Sequence, residues 1–138
     1  MLTADRNVSE LNQETVYQRL GGEPALRRLV HCFYCQMDEL SEVKTIRGLH
    51  GPDLSGAESK LFKFLSGWLG GPPLYWEEFG HPRLLMRHHP FTIGARERDQ
   101  WMLCMNRALE LSVADEALRQ GLSRALAQVA DHMVNRPG

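Results

Sequence analysis

The spacing of the apolar residues constrains the fold more than any other feature of this sequence. They recur at steps of three and four in several segments, for example at Trp101, Cys104, Met105, Ala108 and Leu111. An α-helix has about 3.6 residues per turn, so this spacing gathers the apolar side chains on one helical face. No segment of useful length shows the period of two that marks a half-buried strand, and there is no internal repeat. The sequence therefore predicts an all-α fold.

Glycines and prolines set the expected limits of the helices. Gly21 and Gly22 should end a short first helix, because glycine readily takes the left-handed geometry of a helix terminus. The spacing and these breaks predict helices over residues 15–20, 23–38, 54–68, 95–111 and 115–133, with a short turn over residues 40–46. The last helix can be capped by Ser112 or Asp115. The GGPP run predicts an extended surface connection over residues 70–80, and the charged residues 96–99 should be a solvated first turn.

Length and charge exclude several classes of protein. The 138 residues suit one domain, expected over residues 13–136 after a flexible N-terminal arm over residues 1–12. A net charge of -1 provides no broad basic field, so we expect no nucleic-acid partner. The most hydrophobic run, LFKFLSGWLGG, is too short and too interrupted to span a membrane. The N-terminus lacks the apolar core of a signal peptide. These features favour a cytoplasmic protein without a membrane partner.

The cysteines do not form a recognisable framework. The chain has three cysteines. An odd number, in a protein expected in a reducing compartment, argues against structural disulfides. Cys32 and Cys35 have the CxxC spacing, but they lie on a predicted helix and no second pair accompanies them. A zinc site or a redox pair is therefore not predicted. Cys104 is most simply a buried thiol.

The stretch HPRLLMRHHPFTIGARERDQW, residues 81–101, is the strongest candidate for chemistry. It holds three histidines, two prolines and four arginines. Pro90 should end a helix at His89, which leaves His88 in the last turn beside the apolar run of residues 84–86. A neutral imidazole in such surroundings can bind a metal. The alternative is that His88 is an ordinary surface or core histidine.

Three motifs carry a specific resemblance to a known family. They are GGxxALxxLVxxFYxQM at residues 21–37, DLSGAExKLFxFLxGWLGGPPLY at residues 53–75, and HPRLLMRHHPF followed by ERDQW within residues 81–101. Through them the chain, from about Val16 to Val134, resembles the group II truncated haemoglobins, with Trp101 indicating the group. The resemblance implies a truncated globin-like, two-over-two helical sandwich around haem b.

The resemblance also implies which residues hold the cofactor. His88 matches the proximal ligand of the haem iron, and such a ligand needs an acceptor for its second ring nitrogen. Arg87 matches a position that reaches the haem propionates, as guanidinium groups bind carboxylates well. His81 and Arg83 are weaker candidates for that role. Ala57 and Leu61 are implied as apolar lining of the cofactor. Phe64 and Phe91 line either the cofactor or the core beside it, and the sequence alone does not decide between the two.

On the opposite, distal side the resemblance implies three polar side chains, those of Tyr34, Trp101 and His50. Ala57 matches a position where many globins carry histidine or glutamine, and its side chain offers no hydrogen bond. Tyr34 and Trp101 would then stabilise the bound ligand. The alternative for both is a core aromatic at helical spacing, and for His50 an ordinary loop histidine.

Three functions remain open from the sequence. The first is reversible binding and retention of oxygen, with nitric oxide and carbon monoxide as further ligands. The second is redox catalysis at the same haem, by nitric oxide dioxygenation or peroxide reduction with an unidentified electron donor. The third is a helical interaction module without haem, in which His81, His88 and His89 are structural or bind another metal.

Overall fold

The computed structural model describes residues 14–80 and 94–134. The helices in these two ranges are α1 (Val16–Leu20), α2 (Gly22–Glu39), α3 (Lys44–Gly48), α4 (Ser55–Trp68), α5 (Leu74–Phe79), α6 (Ala95–Ser112) and α7 (Glu116–Met133), with a 3-10 turn at Ser41–Val43. No strand occurs in either range, so the predicted all-α fold is confirmed. The expected N-terminal arm, residues 1–12, lies outside the described residues.

Two helix pairs form the body of the fold. Helix α2 packs against α4, α6 packs against α7, and the contact between α2 and α6 joins the pairs. The core between them is built from residues less than 2% exposed: Leu26, Leu29, Val30, Phe33, Leu65, Cys104, Met105, Leu109 and Leu126. Their spacing along α2 and α6 is the helical one, which is why the sequence predicted these helices well. Leu111 is the exception, since it is exposed and Leu109 takes the core position.

Local side-chain chemistry fixes where the helices begin. The hydroxyl of Thr15 accepts a hydrogen bond from the Gln18 N–H at 3.1 Å, and the Gln18 side chain accepts one from the Thr15 N–H at 3.0 Å. This reciprocal capping box starts α1. Gly21, with a φ of 123°, ends α1 as predicted. Of the two proposed caps for the last helix, Asp115 is the one used, accepting from the Leu118 N–H at 3.1 Å.

Helix α5 is not predicted by the sequence. Residues 70–80 were expected to be extended, but Leu74–Phe79 forms a helix immediately after Pro73. A proline ends a preceding helix, yet its fixed φ also suits the start of a new one, and the second effect prevails here. Tyr75 is buried and packs edge-on against Phe64, with ring centroids 6.3 Å apart. That contact holds α5 against α4.

The charged first turn of α6 also departs from expectation. Glu97 was expected to be solvated with its neighbours, but only 8% of it is exposed. Its carboxylate accepts a hydrogen bond from the Gly94 N–H at 2.8 Å and so caps the helix. Arg98 does face solvent in part and pairs with Asp99 and Asp131, each at 3.1 Å.

Within residues 14–80 and 94–134, no helix is both long enough and apolar enough to cross a bilayer.

Candidate functional site

Ring contacts connect the three predicted distal residues, two of them through the buried ring of Phe33. Phe33, on α2, is fully buried, and its ring centroid lies 4.8 Å from that of Tyr34 and 5.3 Å from that of Trp101. The ring of His50 lies edge-on to Tyr34, with centroids 6.1 Å apart. Helix α2, the turn after α3 and helix α6 thus bring Tyr34, His50 and Trp101 into one cluster, which we call the distal cluster.

The Tyr34 hydroxyl is held at the boundary between α2 and α4. It donates a hydrogen bond to the Ala57 carbonyl, and the distance of 3.3 Å is at the long end of the range for hydroxyl donors. Burial, and after it the nearby Glu58 and Cys104, raise the pKa of Tyr34 well above its ordinary value. The hydroxyl therefore remains a protonated donor at neutral pH. Ala57 offers no side-chain hydrogen bond, but its backbone carbonyl serves as the acceptor.

Trp101 contributes a second donor to the cluster. Its side chain is half-buried and packs against the core through Phe33. The part of the chain that the structure describes gives its indole N–H no hydrogen-bond acceptor. An indole is a donor only, and in a largely apolar setting it favours a polar partner. Trp101 is therefore available to donate to a ligand beside the cluster.

A network that the sequence did not predict positions His50. Its Nδ1 lies 2.9 Å from the Ile46 carbonyl oxygen, and because a carbonyl only accepts, Nδ1 carries the proton. The Ile46 N–H in turn donates to Oε1 of Gln100 at 3.1 Å. Gln100 directly precedes Trp101, so the same turn of α6 carries the indole and is hydrogen-bonded to α3 through Gln100. Nothing in the local pattern around Gln100 distinguishes it from a surface glutamine, since its partner is 54 residues away in the sequence.

Helix α4 presents two apolar stripes, of which the protein covers only one fully. Six apolar residues recur at helical spacing along α4, which predicts burial along most of one side: Leu54, Ala57, Leu61, Phe64, Leu65 and Trp68. Leu65 is fully buried, as are its neighbours Phe62 and Ser66, but the stripe of Ala57, Leu61 and Phe64 is only half-buried and Trp68 at its end is 38% exposed. The expected burial is therefore complete at Leu65 and partial along the rest of the predicted side. An incompletely covered apolar face suits a flat apolar group.

The described residues therefore fit the distal half of a haem site. They provide an apolar surface on α4 and two hydrogen-bond donors, Tyr34, which is bonded to Ala57 on α4, and Trp101, which packs against Phe33. Four residues expected to contact the cofactor, His81, Arg87, His88 and Phe91, belong to residues 81–93 and lie outside the described residues. Their roles stay predictions.

Comparison with known proteins gives consistent matches over nearly the whole chain. A family model described as bacterial-like globin matches residues 15–135. The group 2 truncated hemoglobin YjbI of Bacillus subtilis is 37% identical over 115 residues, which are 83% of this chain and 85% of that protein.

Solved structures give the same result. A cold-adapted truncated hemoglobin from the Antarctic marine bacterium Pseudoalteromonas haloplanktis is similar with a TM-score of 0.86 and 43% identity, covering 90% of this chain and 100% of the other. The group II 2-on-2 hemoglobin of the plant pathogen Agrobacterium tumefaciens has a TM-score of 0.85 and 41% identity, with 91% and 97% covered. The two-over-two sandwich predicted from the sequence is thereby confirmed.

Proposed function

The chain belongs to the bacterial-like globin family, among its group II truncated haemoglobins, and on that premise we propose that it reversibly binds and retains oxygen at a haem held by His88. Membership of the globin family implies haem binding. The haem type we propose is haem b. When bound, haem supplies an iron that takes up a diatomic ligand, while the protein supplies the enclosure and the hydrogen bonds.

The observation that carries the proposal is the distal cluster, in which Tyr34 and Trp101 both contact Phe33 and His50 contacts Tyr34. A ligand with partial negative charge on its outer atom is stabilised by donors in a water-poor setting. The hydroxyl of Tyr34 is buried and protonated, and its bond to Ala57 is long enough to be exchanged for a better one. The indole of Trp101 comes from the facing helix. Two donors from different helices favour retention of the ligand over rapid release.

The half-covered stripe on α4 supports the position of the cofactor. Ala57, Leu61 and Phe64 would contact one face of the haem, and Phe91 is proposed to contribute to the same lining. On the other side we propose His88 as the iron ligand, with Arg87 and His81 near the propionates. A guanidinium matches a carboxylate in charge and in geometry, which suits Arg87 to that task.

The proposed ligands beyond oxygen are nitric oxide and carbon monoxide, which offer similar acceptor atoms to the same donors. Retention of oxygen also gives time for reaction with a second molecule. We therefore propose redox catalysis at the same haem as the alternative function, with nitric oxide or peroxide as substrate and an unidentified electron donor. We propose a cytoplasmic location, where reduced haem and free thiols are maintained. Steady-state turnover of nitric oxide or peroxide with a reductase decides between this redox role and binding alone.

The first test is spectroscopic and uses the paired histidines at positions 88 and 89. Purified protein should carry one haem per chain, with a strong Soret band in the ferric, ferrous and carbon monoxide forms. His88→Ala should lose the haem or bind it far more weakly, because it removes the only proposed bond to iron from the protein. His89→Ala, the adjacent control, should keep native haem content and spectra.

Two results would contradict this assignment. Native haem affinity and spectra in His88→Ala would mean that another residue binds the iron. A colourless protein that takes up no added haem would favour the remaining alternative, a helical module without a cofactor.

A further inference from the structure

A hydrogen-bonded chain of three side chains lies on the outer surface where α2 meets α4. The Sγ of Cys35 is 3.5 Å from Nε2 of His31, one helical turn earlier on α2. The Nδ1 of the same imidazole is 3.2 Å from Oε2 of Glu58 on α4. A thiol, an imidazole and a carboxylate are thus connected in that order. None of these three residues is a member of the distal cluster.

The direction of the hydrogen bonds follows from the chemistry of the groups. An ionised carboxylate only accepts, so Nδ1 of His31 donates to Glu58. In a neutral imidazole the other nitrogen is then an acceptor, which leaves Nε2 to receive the S–H of Cys35. This is the relation of nucleophile, base and orienting carboxylate that activates thiols and hydroxyls on unrelated folds.

We propose that Cys35 is a thiol–disulfide exchange site for low-molecular-weight disulfides, with His31 as its base and Glu58 as the residue that orients the base. In the reaction, His31 takes the proton from Cys35. The Cys35 sulfur then attacks one sulfur of the disulfide, the protein–sulfur bond forms and the original S–S bond breaks. The departing thiolate takes the proton from His31 and leaves as a thiol. One disulfide and one protein thiol give one mixed disulfide and one free thiol, so no further oxidant is needed.

The surroundings explain why a base is needed and why the other cysteines should react less. Burial and the nearby Glu39 raise the pKa of the Cys35 thiol, so without help little of it is ionised at neutral pH. Cys32 shares the burial and the influence of Glu39, but its side-chain hydrogen bond is to Gln36 and not to an imidazole. Cys104 is fully buried, and burial raises its pKa to about 12. Cys35 is thus the cysteine for which we expect the fastest thiol–disulfide exchange.

Accessibility also supports this assignment. Side-chain exposure is 68% for His31 and 35% for Glu58, and Cys35 itself is half-buried. A small disulfide can therefore reach the sulfur without opening the core. Because an exposed ion pair contributes little to stability, substitutions in it should leave the fold intact.

The test is the rate of mixed-disulfide formation in the native, full-length protein with the chromogenic reagent dithiobis(nitrobenzoate). The released nitrobenzoate thiol loses its proton to the solvent at neutral pH, so its coloured thiolate reports the rate, and mass spectrometry of peptides identifies the modified cysteine. At limiting reagent and neutral pH the label should be found on Cys35. His31→Gln should slow this labelling at least about tenfold, since positioned bases contribute that much or more. His132→Gln removes an exposed histidine from α7 and should change nothing.

The pH profile separates base catalysis from a structural effect of the substitution. In the parent protein the labelling rate should vary little with pH over the neutral range. In His31→Gln it should rise about tenfold per pH unit, because only the spontaneously ionised thiol then reacts. Glu58→Gln should lie between the two profiles. Equal rates and parallel profiles in parent and His31→Gln, or preferential labelling of Cys32, would overturn the proposal.

Discussion

At the scale of single residues, the geometry of Tyr34 and Trp101 supports the proposed stabilisation of a ligand beside their packing in the core. A side chain that only filled space at this helix boundary would need no hydroxyl, so phenylalanine would serve as well as tyrosine. Tyr34 instead presents a buried donor on a long bond to the Ala57 carbonyl, 3.3 Å away. Trp101 presents an indole N–H without an acceptor in the described part of the chain. Within the described residues the indole N–H of Trp101 is thus unused, whereas the single O–H of Tyr34 must leave the Ala57 carbonyl before it can donate to a ligand.

Removal of either donor should speed the release of oxygen. One hydrogen bond to a charged or strongly polarised acceptor contributes roughly 1.5 to 3 kcal/mol, and about 1.4 kcal/mol corresponds to a factor of ten. Tyr34→Phe and Trp101→Phe should each raise the oxygen dissociation rate about tenfold, measured by stopped-flow displacement with carbon monoxide. Tyr17→Phe, on α1, is the matched control and should leave the rate unchanged. Parent-like rates in both distal variants would refute the donor assignment.

At the scale of helices, the sequence correctly predicted those that bury one apolar face against the rest of the protein. Helices α2, α6 and α7 bury one stripe against protein, so a period near 3.6 located them to within a few residues. Helix α4 has two apolar stripes, and periodicity alone could not tell which one the protein covers. Helix α5 was missed because its order depends on Tyr75 packing against Phe64, a contact between segments that no local pattern contains. The hydrogen bond from Ile46 to Gln100 was missed for the same reason.

Helix α1 packs closely against Gly71, which follows the end of α4, and this contact gives a prediction about stability. A Cβ on Gly71 would come within 2.5 Å of the ring of Tyr17, and the Tyr17 N–H donates to the Leu69 carbonyl at 2.9 Å. Gly71→Ala must therefore displace the ring or the backbone. We expect a loss of about 1 to 3 kcal/mol in the free energy of unfolding, measured by urea denaturation.

The matched control for Gly71→Ala is Gly121→Ala on α7. A Cβ there meets nothing within 4 Å, and alanine is the better helix former by about 1 kcal/mol, so this variant should be as stable as the parent or more stable. If Gly71→Ala were as stable as Gly121→Ala, the close packing of Tyr17 on Gly71 would not contribute to the stability of the fold.

At the scale of the whole molecule, one feature of the core links folding to cofactor binding. The two helix pairs meet across α2 and α6, where the residues are almost completely buried. The stripe of α4 with Leu61 and Phe64 is only half covered by protein atoms. A group that binds this face in the folded state and not in the unfolded chain must stabilise the fold by mass action.

Removal of haem should therefore lower the thermal unfolding midpoint. With free haem about a hundredfold above its dissociation constant, binding adds about 2.7 kcal/mol of stability, which for a domain of this size corresponds to roughly ten degrees. Calorimetry of the haem-free and reconstituted protein measures this difference. His88→Ala with the same added haem should unfold near the haem-free midpoint, whereas His89→Ala should match the reconstituted parent. Equal midpoints with and without haem would mean that haem does not bind the folded protein more tightly than the unfolded chain.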